Sequence, residues 1–239
     1  MRENVWKNYN EKEKEELEKL CADYMQFLSD CKTERECVKD IVQRAKLAGY
    51  KSLEEVMEQK KRLKSGDKVY AVCMQKAVAL FCIGTEPMEK GLNILGAHID
   101  SPRLDVKQNP LYEDGDMAYL DTHYYGGIKK YQWVTLPLAL HGVVVKKDGS
   151  SVQIHIGEKE EDPVFCVSDL LIHLAGEQME KKAGKVIEGE NLDLLVGSIP
   201  LESEEKDAVK KGVLAILSKE YGMEEEDFIS AELEIVPAG

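Results

Sequence analysis

The apolar residues of this chain change their spacing near residue 100, and that change limits the folds open to it. Before it, Leu17, Leu20, Cys21, Tyr24, Phe27 and Leu28 recur every three or four residues after Asn10. This predicts an amphipathic helix with Asn10 as its N-cap and that stripe turned inward. Thr33 with Glu36 has the form of a capping box for a second helix, with Val38, Ile41, Val42 and Ala45 inward and Gly49 as its stop. Ser52 with Glu55 repeats the signature for a short third helix.

Strand texture follows. Residues 68–74 and 77–83 predict a hairpin around Gln75-Lys76, and the apolar run 92–97 predicts a short buried strand. That run ends in His98-Ile99-Asp100-Ser101-Pro102-Arg103. From 104 to 165 turn signals interrupt β segments at Asn109-Pro110, Asp114-Gly115, Gly126-Gly127 and Asp148-Gly149, the last joining 142–146 to 151–156. Ser168 is expected to cap a helix over 169–182, with Leu170, Leu171, Leu174 and Met179 on its apolar side. Another helix is expected after Ser203, with Ala208, Val209, Val213, Ile216 and Leu217 inward and Gly222 at its end, then a strand over 231–236. The expected fold class is α/β with a domain boundary near residue 100.

Composition removes several function classes. With 32 Lys and Arg against 45 Asp and Glu, 32 − 45 leaves a net charge of −13 in 239 residues. No basic stripe is present to bind phosphates, so no nucleic-acid partner is expected. No apolar run approaches the ~18 residues needed to span a bilayer, so no membrane partner is expected. The N-terminus lacks the apolar core of a secretory signal. With no C-x-x-C among the six cysteines, reduced, buried thiols and a cytoplasmic location are expected.

The chemistry concentrates at the end of the 92–97 run. His98 and Asp100 are one residue apart, so in an extended segment both point to one side. A neutral imidazole is a good zinc ligand, and a nearby carboxylate fixes its orientation. H-x-D alone recurs by chance and more often marks a capped strand end.

The surrounding residues say more. Gly96-Ala97-His98-Ile99-Asp100-Ser101-Pro102-Arg103-Leu104-Asp105-Val106-Lys107 resembles the signature segment of the aspartyl aminopeptidase family, which includes the vacuolar aminopeptidase I proteins. The resemblance continues through His123-Tyr124-Tyr125-Gly126-Gly127-Ile128-Lys129-Lys130-Tyr131-Gln132-Trp133, the strand at 138–145 and residues 167–174. It covers nearly the whole chain. The resemblance implies a two-zinc aminopeptidase acting on N-terminal, often acidic, residues of peptides. His98 would be a zinc ligand and Asp100 its orienting carboxylate; Co²⁺ or Mn²⁺ would also suit such ligands.

It further implies that residues 1–100 are part of an α/β/α catalytic domain and 101–232 an inserted β-rich dimerisation domain, with 233–239 beginning the return. Dimers of that kind build a larger homo-oligomer. The family's remaining ligands and its general base lie downstream of the matched segment, which would make this chain an N-terminal half, inactive alone. The competing reading is an inactive, stand-alone oligomerisation or binding module.

The remaining candidates divide. The pairs Glu15-Glu16, Glu54-Glu55, Glu160-Glu161 and Glu204-Glu205 sit among lysines and read as solvated faces. His173, on the expected 169–182 helix, is either a core or interface residue or, by the resemblance, a substrate-binding residue reaching a partner subunit's active site. His123 is not assigned as a ligand, and His141 and His155 read as structural.

Overall fold

A computed structural model describes residues 3–202 and 206–239. The chain divides into two compact units, Met1–Asp100 and Ser101–Gly239. Residues 233–239, expected to begin a return to the first domain, lie in the second unit.

In the first unit, α1 (Glu11–Asp30) starts on Asn10 as expected, α2 (Glu34–Leu47) starts on Thr33 with the expected capping box to Glu36, and Asn10 also closes a capping box with Glu13. These boxes satisfy N–H groups that a helix start otherwise leaves without partners. β1 (Lys51–Ser52) leads into α3 (Leu53–Glu58), whose Ser52 side chain makes no capping bond, contrary to expectation. β2 (Lys68–Cys73) and β3 (Ala77–Cys82) form the expected hairpin. Met74 and Gln75 both take positive φ, as a type I′ turn requires even without Gly or Asn. β1 pairs parallel to β2, giving the order β1-β2-β3. α2 and α3 pack on this small sheet and bury Cys37, Val38, Ala45, Val56, Val69 and Tyr70.

Two expectations fail here. The stripe on α1 is not buried: no residue of that helix is, and Leu20, Tyr24 and Leu28 are exposed. Arg44 ties α1 to α2, bonding Asp23 at 2.7 Å and Asp40 at 2.6 Å with its guanidinium over the Phe27 ring. The 92–97 run is not a buried strand. Leu92, Ile94 and Leu95 are 64%, 82% and 101% exposed, and no ladder partner takes their backbone groups among the described residues.

The second unit is built on one antiparallel sheet, ordered β7-β6-β10-β4-β5-β9-β8. Its strands are β4 (Arg103–Asp114), β5 (Met117–Tyr125), β6 (Leu138–Val145), β7 (Ser151–Ile156), β8 (Cys166–Val167), β9 (Leu194–Gly197) and β10 (Ala231–Pro237). Asp114-Gly115 and Asp148-Gly149 make hairpin turns as expected; Asn109-Pro110 does not. It lies inside β4 where the register to β5 shifts, so a proline without an N–H sits at a bulge. Leu138 and Phe165 exchange two backbone bonds of 2.9 Å, so the sheet curls until the stretch before β8 meets β6.

One face is the core, where Leu104, Leu120, Leu140, Leu194, Leu233 and Ile235 are all buried. α6 (Ala208–Tyr221) closes over it through Val209 and Val213 and ends at left-handed Gly222. Ser203, its expected start, and Glu204-Glu205 lie outside the described residues. Two glycines allow close backbone approach: a Cβ on Gly197 would stand 2.8 Å from Val213, and one on Gly142 2.0 Å from the Glu232 carbonyl.

The expected 169–182 helix is reduced to one turn, α5 (Gly176–Met179), after the short α4 (Lys130–Trp133) earlier in the unit. Asp169 Oδ1 instead accepts from the Leu170 N–H at 2.8 Å and from Gln178 at 2.9 Å. Leu170, Leu171, Leu174 and Met179 are all exposed. Most helix stability in proteins comes from packing an apolar face, which this segment lacks within the unit. The cysteines also differ from expectation: all are free thiols, but only Cys37 is buried, while Cys21, Cys73, Cys82 and Cys166 are exposed. No helix among the described residues is long and apolar enough to cross a membrane.

Candidate metal-binding segment

His98 and Asp100 close the first unit in an extended stretch without regular secondary structure. The Cys37 thiol, at the start of α2, donates a weak bond to the Ile99 carbonyl at 3.9 Å. His98 Nδ1 lies 3.0 Å from the Asp100 carbonyl oxygen and 3.3 Å from Asp100 Oδ1. A carbonyl only accepts, so the proton sits on Nδ1 and the Nε2 lone pair is left outward. The His98 side chain is 84% exposed, so Nε2 is accessible.

The sequence thus places the two residues together, in the tautomer suited to a ligating imidazole. The donor set fits zinc in kind but is short in number, because a catalytic zinc site uses three protein ligands. Among the described residues of the first unit, no three metal-ligating side chains converge around His98.

Cys31 and Cys37 sit beside this segment. Partial burial, with the negative charges of Asp40 and Glu36 nearby, pushes the Cys31 thiol up to about 12. Burial, with Glu36 and Glu34 beside it, pushes Cys37 up to about 11. Both are neutral thiols at physiological pH, poor nucleophiles and poor metal ligands.

His173 belongs to the second unit and lies in an exposed turn rather than on a helix. Glu15-Glu16, Glu54-Glu55 and Glu160-Glu161 are exposed.

The second unit also holds polar structure that residue spacing did not bring out. Across the sheet, His155, His141, Glu234, Asp105 and His123 stand in register on β7, β6, β10, β4 and β5, on the face opposite the core. Arg103 Nε bonds Asp105 at 2.7 Å and lies 3.5 Å from Glu234, with its guanidinium 4.3 Å from the Tyr125 ring centre. His141, fully buried, donates from Nε2 to Glu158 at 2.8 Å and lies 4.1 Å, ring to ring, from His155. The signal in the sequence is the alternation Arg103-x-Asp105, a charged pair inside an otherwise apolar strand start.

The second unit is a curled antiparallel sheet, and the first ends in an imidazole held by a neighbouring carbonyl and carboxylate. The profile of the Aminopeptidase I zinc metalloprotease (M18) family matches residues 27–239. The chain belongs to that family. It is 59% identical over 237 residues to a probable M18 family aminopeptidase 1 of Clostridium acetobutylicum, covering 99% of this chain and 51% of that protein. A crystal structure of an M18 aminopeptidase from Thermotoga maritima superposes with a TM-score of 0.91 at 48% identity, covering 99% of this chain and 50% of that one. One chain of a structure described as the dodecamer of S. cerevisiae mApe1 superposes with a TM-score of 0.64 at 17% identity, covering 93% of this chain and 49% of that one, a likeness of fold alone. The chain spans about half the length of the relatives it matches.

Proposed function

We propose that this chain is the N-terminal portion of a zinc aminopeptidase that removes N-terminal, preferably acidic, residues from peptides. The observation that carries the reading is the His98–Asp100 pair, with Nδ1 held by Asp100 and Nε2 accessible. His98 Nε2 is the donor that would hold one zinc ion of a two-zinc site; Co²⁺ or Mn²⁺ would suit the same donors. Bound zinc would supply Lewis acidity and lower the pKa of water. Asp100 fixes the imidazole tautomer and steadies its orientation through its carbonyl and carboxylate. The other ligands and the general base belong to the half of the relatives that this chain does not span. Residues 1–100 are then part of the catalytic domain and the second unit an inserted dimerisation domain, whose dimers build a larger homo-oligomer like the yeast protein's dodecamer. His173 would reach substrate in a neighbouring subunit, and its exposed turn suits that role.

The test joins this chain to the second half of the Clostridium relative and assays chromogenic substrates with N-terminal Asp or Glu. The joined protein should turn over, lose activity to a chelator, and lose both metal and activity in His98→Ala. Full activity and full metal content in His98→Ala would refute the assignment. The 239-residue chain alone should be inactive.

A further inference from the structure

A concavity in the second unit of this acidic chain carries the opposite charge. Lys130 from α4 and Lys181, Lys182 and Lys185 from the segment after α5 line a cavity of about 410 Å³ in the second unit, with Glu188 and Gly189 at its rim. Glu188 is the single carboxylate of the lining and pairs with Lys181 at 3.2 Å. Four ammonium groups against one carboxylate, 4 − 1, leave three positive charges unbalanced. Among the described residues, neither Lys182 nor Lys185 has a carboxylate at ion-pair distance, and Lys130 lies 5.5 Å over the Tyr124 ring. In a chain of net charge −13, with many carboxylates available, Lys182 and Lys185 are thus left unneutralised at this hollow.

The walls are held in place. Ile187 is buried in the core of the unit and Val186 packs against it, which anchors the lysine-bearing segment from its far end. Lys182 and Lys185 flank a 3₁₀ turn at Ala183–Lys185, closed by the Lys185 N–H to the Lys182 carbonyl at 2.7 Å. Gly189 lies so close to the Tyr124 ring that a Cβ would stand 2.5 Å from it. Two residues of the lining, Gly189 and Lys130, are therefore placed against the same ring.

The geometry points to a binding site for a small multivalent phosphate, of the pyrophosphate or triphosphate class, held by Lys130, Lys181, Lys182 and Lys185. Lysine acts as a compact point charge toward phosphate oxygens. A volume of this size is at the small end of ligand pockets, roughly 300–1,000 Å³. No aromatic side chain lines the cavity, so none is offered to stack a base, and recognition falls on the phosphate chain. The ligand could be inorganic or the phosphate tail of a nucleotide. This site is independent of the peptidase reading, and it involves neither His98 nor Asp100.

The experiment titrates the 239-residue chain calorimetrically with inorganic tripolyphosphate at low salt. One saturable site is expected, weakened roughly tenfold or more in the Lys182→Gln/Lys185→Gln double variant, where two of the charge contacts are gone. Lys182→Arg/Lys185→Arg should retain binding, and so should Lys12→Gln/Lys14→Gln on α1. Adenosine triphosphate binding equal to tripolyphosphate supports recognition of the phosphate chain from an inorganic source. Stronger adenosine triphosphate binding, lost in the same double variant, supports the site with a nucleotide as source. Absence of binding, binding unchanged in the Gln variant, or equal binding of a glutamate-rich peptide would overturn the assignment. Should the Gln variant fail to fold, acetylation footprinting of the unmodified chain gives the same decision. Tripolyphosphate should shield Lys130, Lys181, Lys182 and Lys185 from the reagent, and unchanged labelling of those four would overturn the site.

Discussion

The two units spend their apolar residues differently. In the second, a curled seven-stranded sheet turns Leu104, Leu140, Leu233 and Ile235 onto one face, and α6 covers them. In the first, a three-stranded sheet and two helices bury a short set from Cys37 to Tyr70, while Leu80, Phe81, Leu92, Ile94 and Leu95 stay exposed. Burial of apolar surface is the main favourable term in folding, at roughly 25 cal/mol per Å². The second unit therefore carries its own stability. Apolar surface stays open in both, at Leu170, Leu171, Leu174 and Met179 in the second unit, but in the first it faces a much smaller core, and that is the unit that holds His98.

Substitutions should separate the two units, beginning with the largest effect. Gly142→Ala puts a Cβ 2.0 Å from the Glu232 carbonyl at a φ of +146°, so the pairing of β6 with β10 must give way. A loss above roughly 4 kcal/mol is expected in denaturant unfolding followed by a probe in the second unit. Ile235→Ala should cost about 2–5 kcal/mol in the same experiment, whereas Leu95→Ala, at a fully exposed position, should stay within about 0.5 kcal/mol. A comparable loss from Leu95→Ala would break the contrast between the units.

Within the first unit, smaller changes separate its built parts from its open ones. Thr33→Ala removes a cap that is made and should cost about 1 kcal/mol; Ser52→Ala removes none and should be near neutral by thermal unfolding. The cysteines give a chemical version of the same contrast. At pH 8, iodoacetamide should label Cys21, Cys73, Cys82 and Cys166 ahead of Cys31 and Cys37, read by mass spectrometry. Labelling of Cys37 in the native chain should rise only as pH approaches about 11. Because the folded values lie above the unfolded one, about 8.5, the unfolded state ionises first as pH rises. These two thiols therefore lower stability progressively from about pH 8.5 upward, and not in acid.

What the sequence displayed and what it hid follow the same division. The N-cap at Asn10, the capping box at Thr33, the hairpin turns at Asp114-Gly115 and Asp148-Gly149 and the C-cap at Gly222 are local chemistry, and each appears where its residues stand. The buried strand at 92–97 and the helix at 169–182 were apolar patterns that also need a surface to pack on. Neither finds one among the described residues of its own unit. Asn109-Pro110 has the composition of a turn, yet pairing with β5 on both sides of it, up to Val106 and again from Leu111, keeps the chain extended through it as a bulge. At the site, adjacency brought His98 and Asp100 together because two residues of extended chain fix their separation. The transverse row from His155 to His123 was not legible, since strand order and register lie outside any local motif.

The central proposal is that His98, oriented by Asp100, is one ligand of a zinc site completed by residues beyond this chain's span. The most direct test measures zinc bound by the purified 239-residue chain after equilibration with the metal, together with turnover of a substrate with N-terminal Asp. Well under one zinc per chain and no turnover are predicted. One or two tightly held zinc ions with sustained turnover by this chain alone would contradict the account.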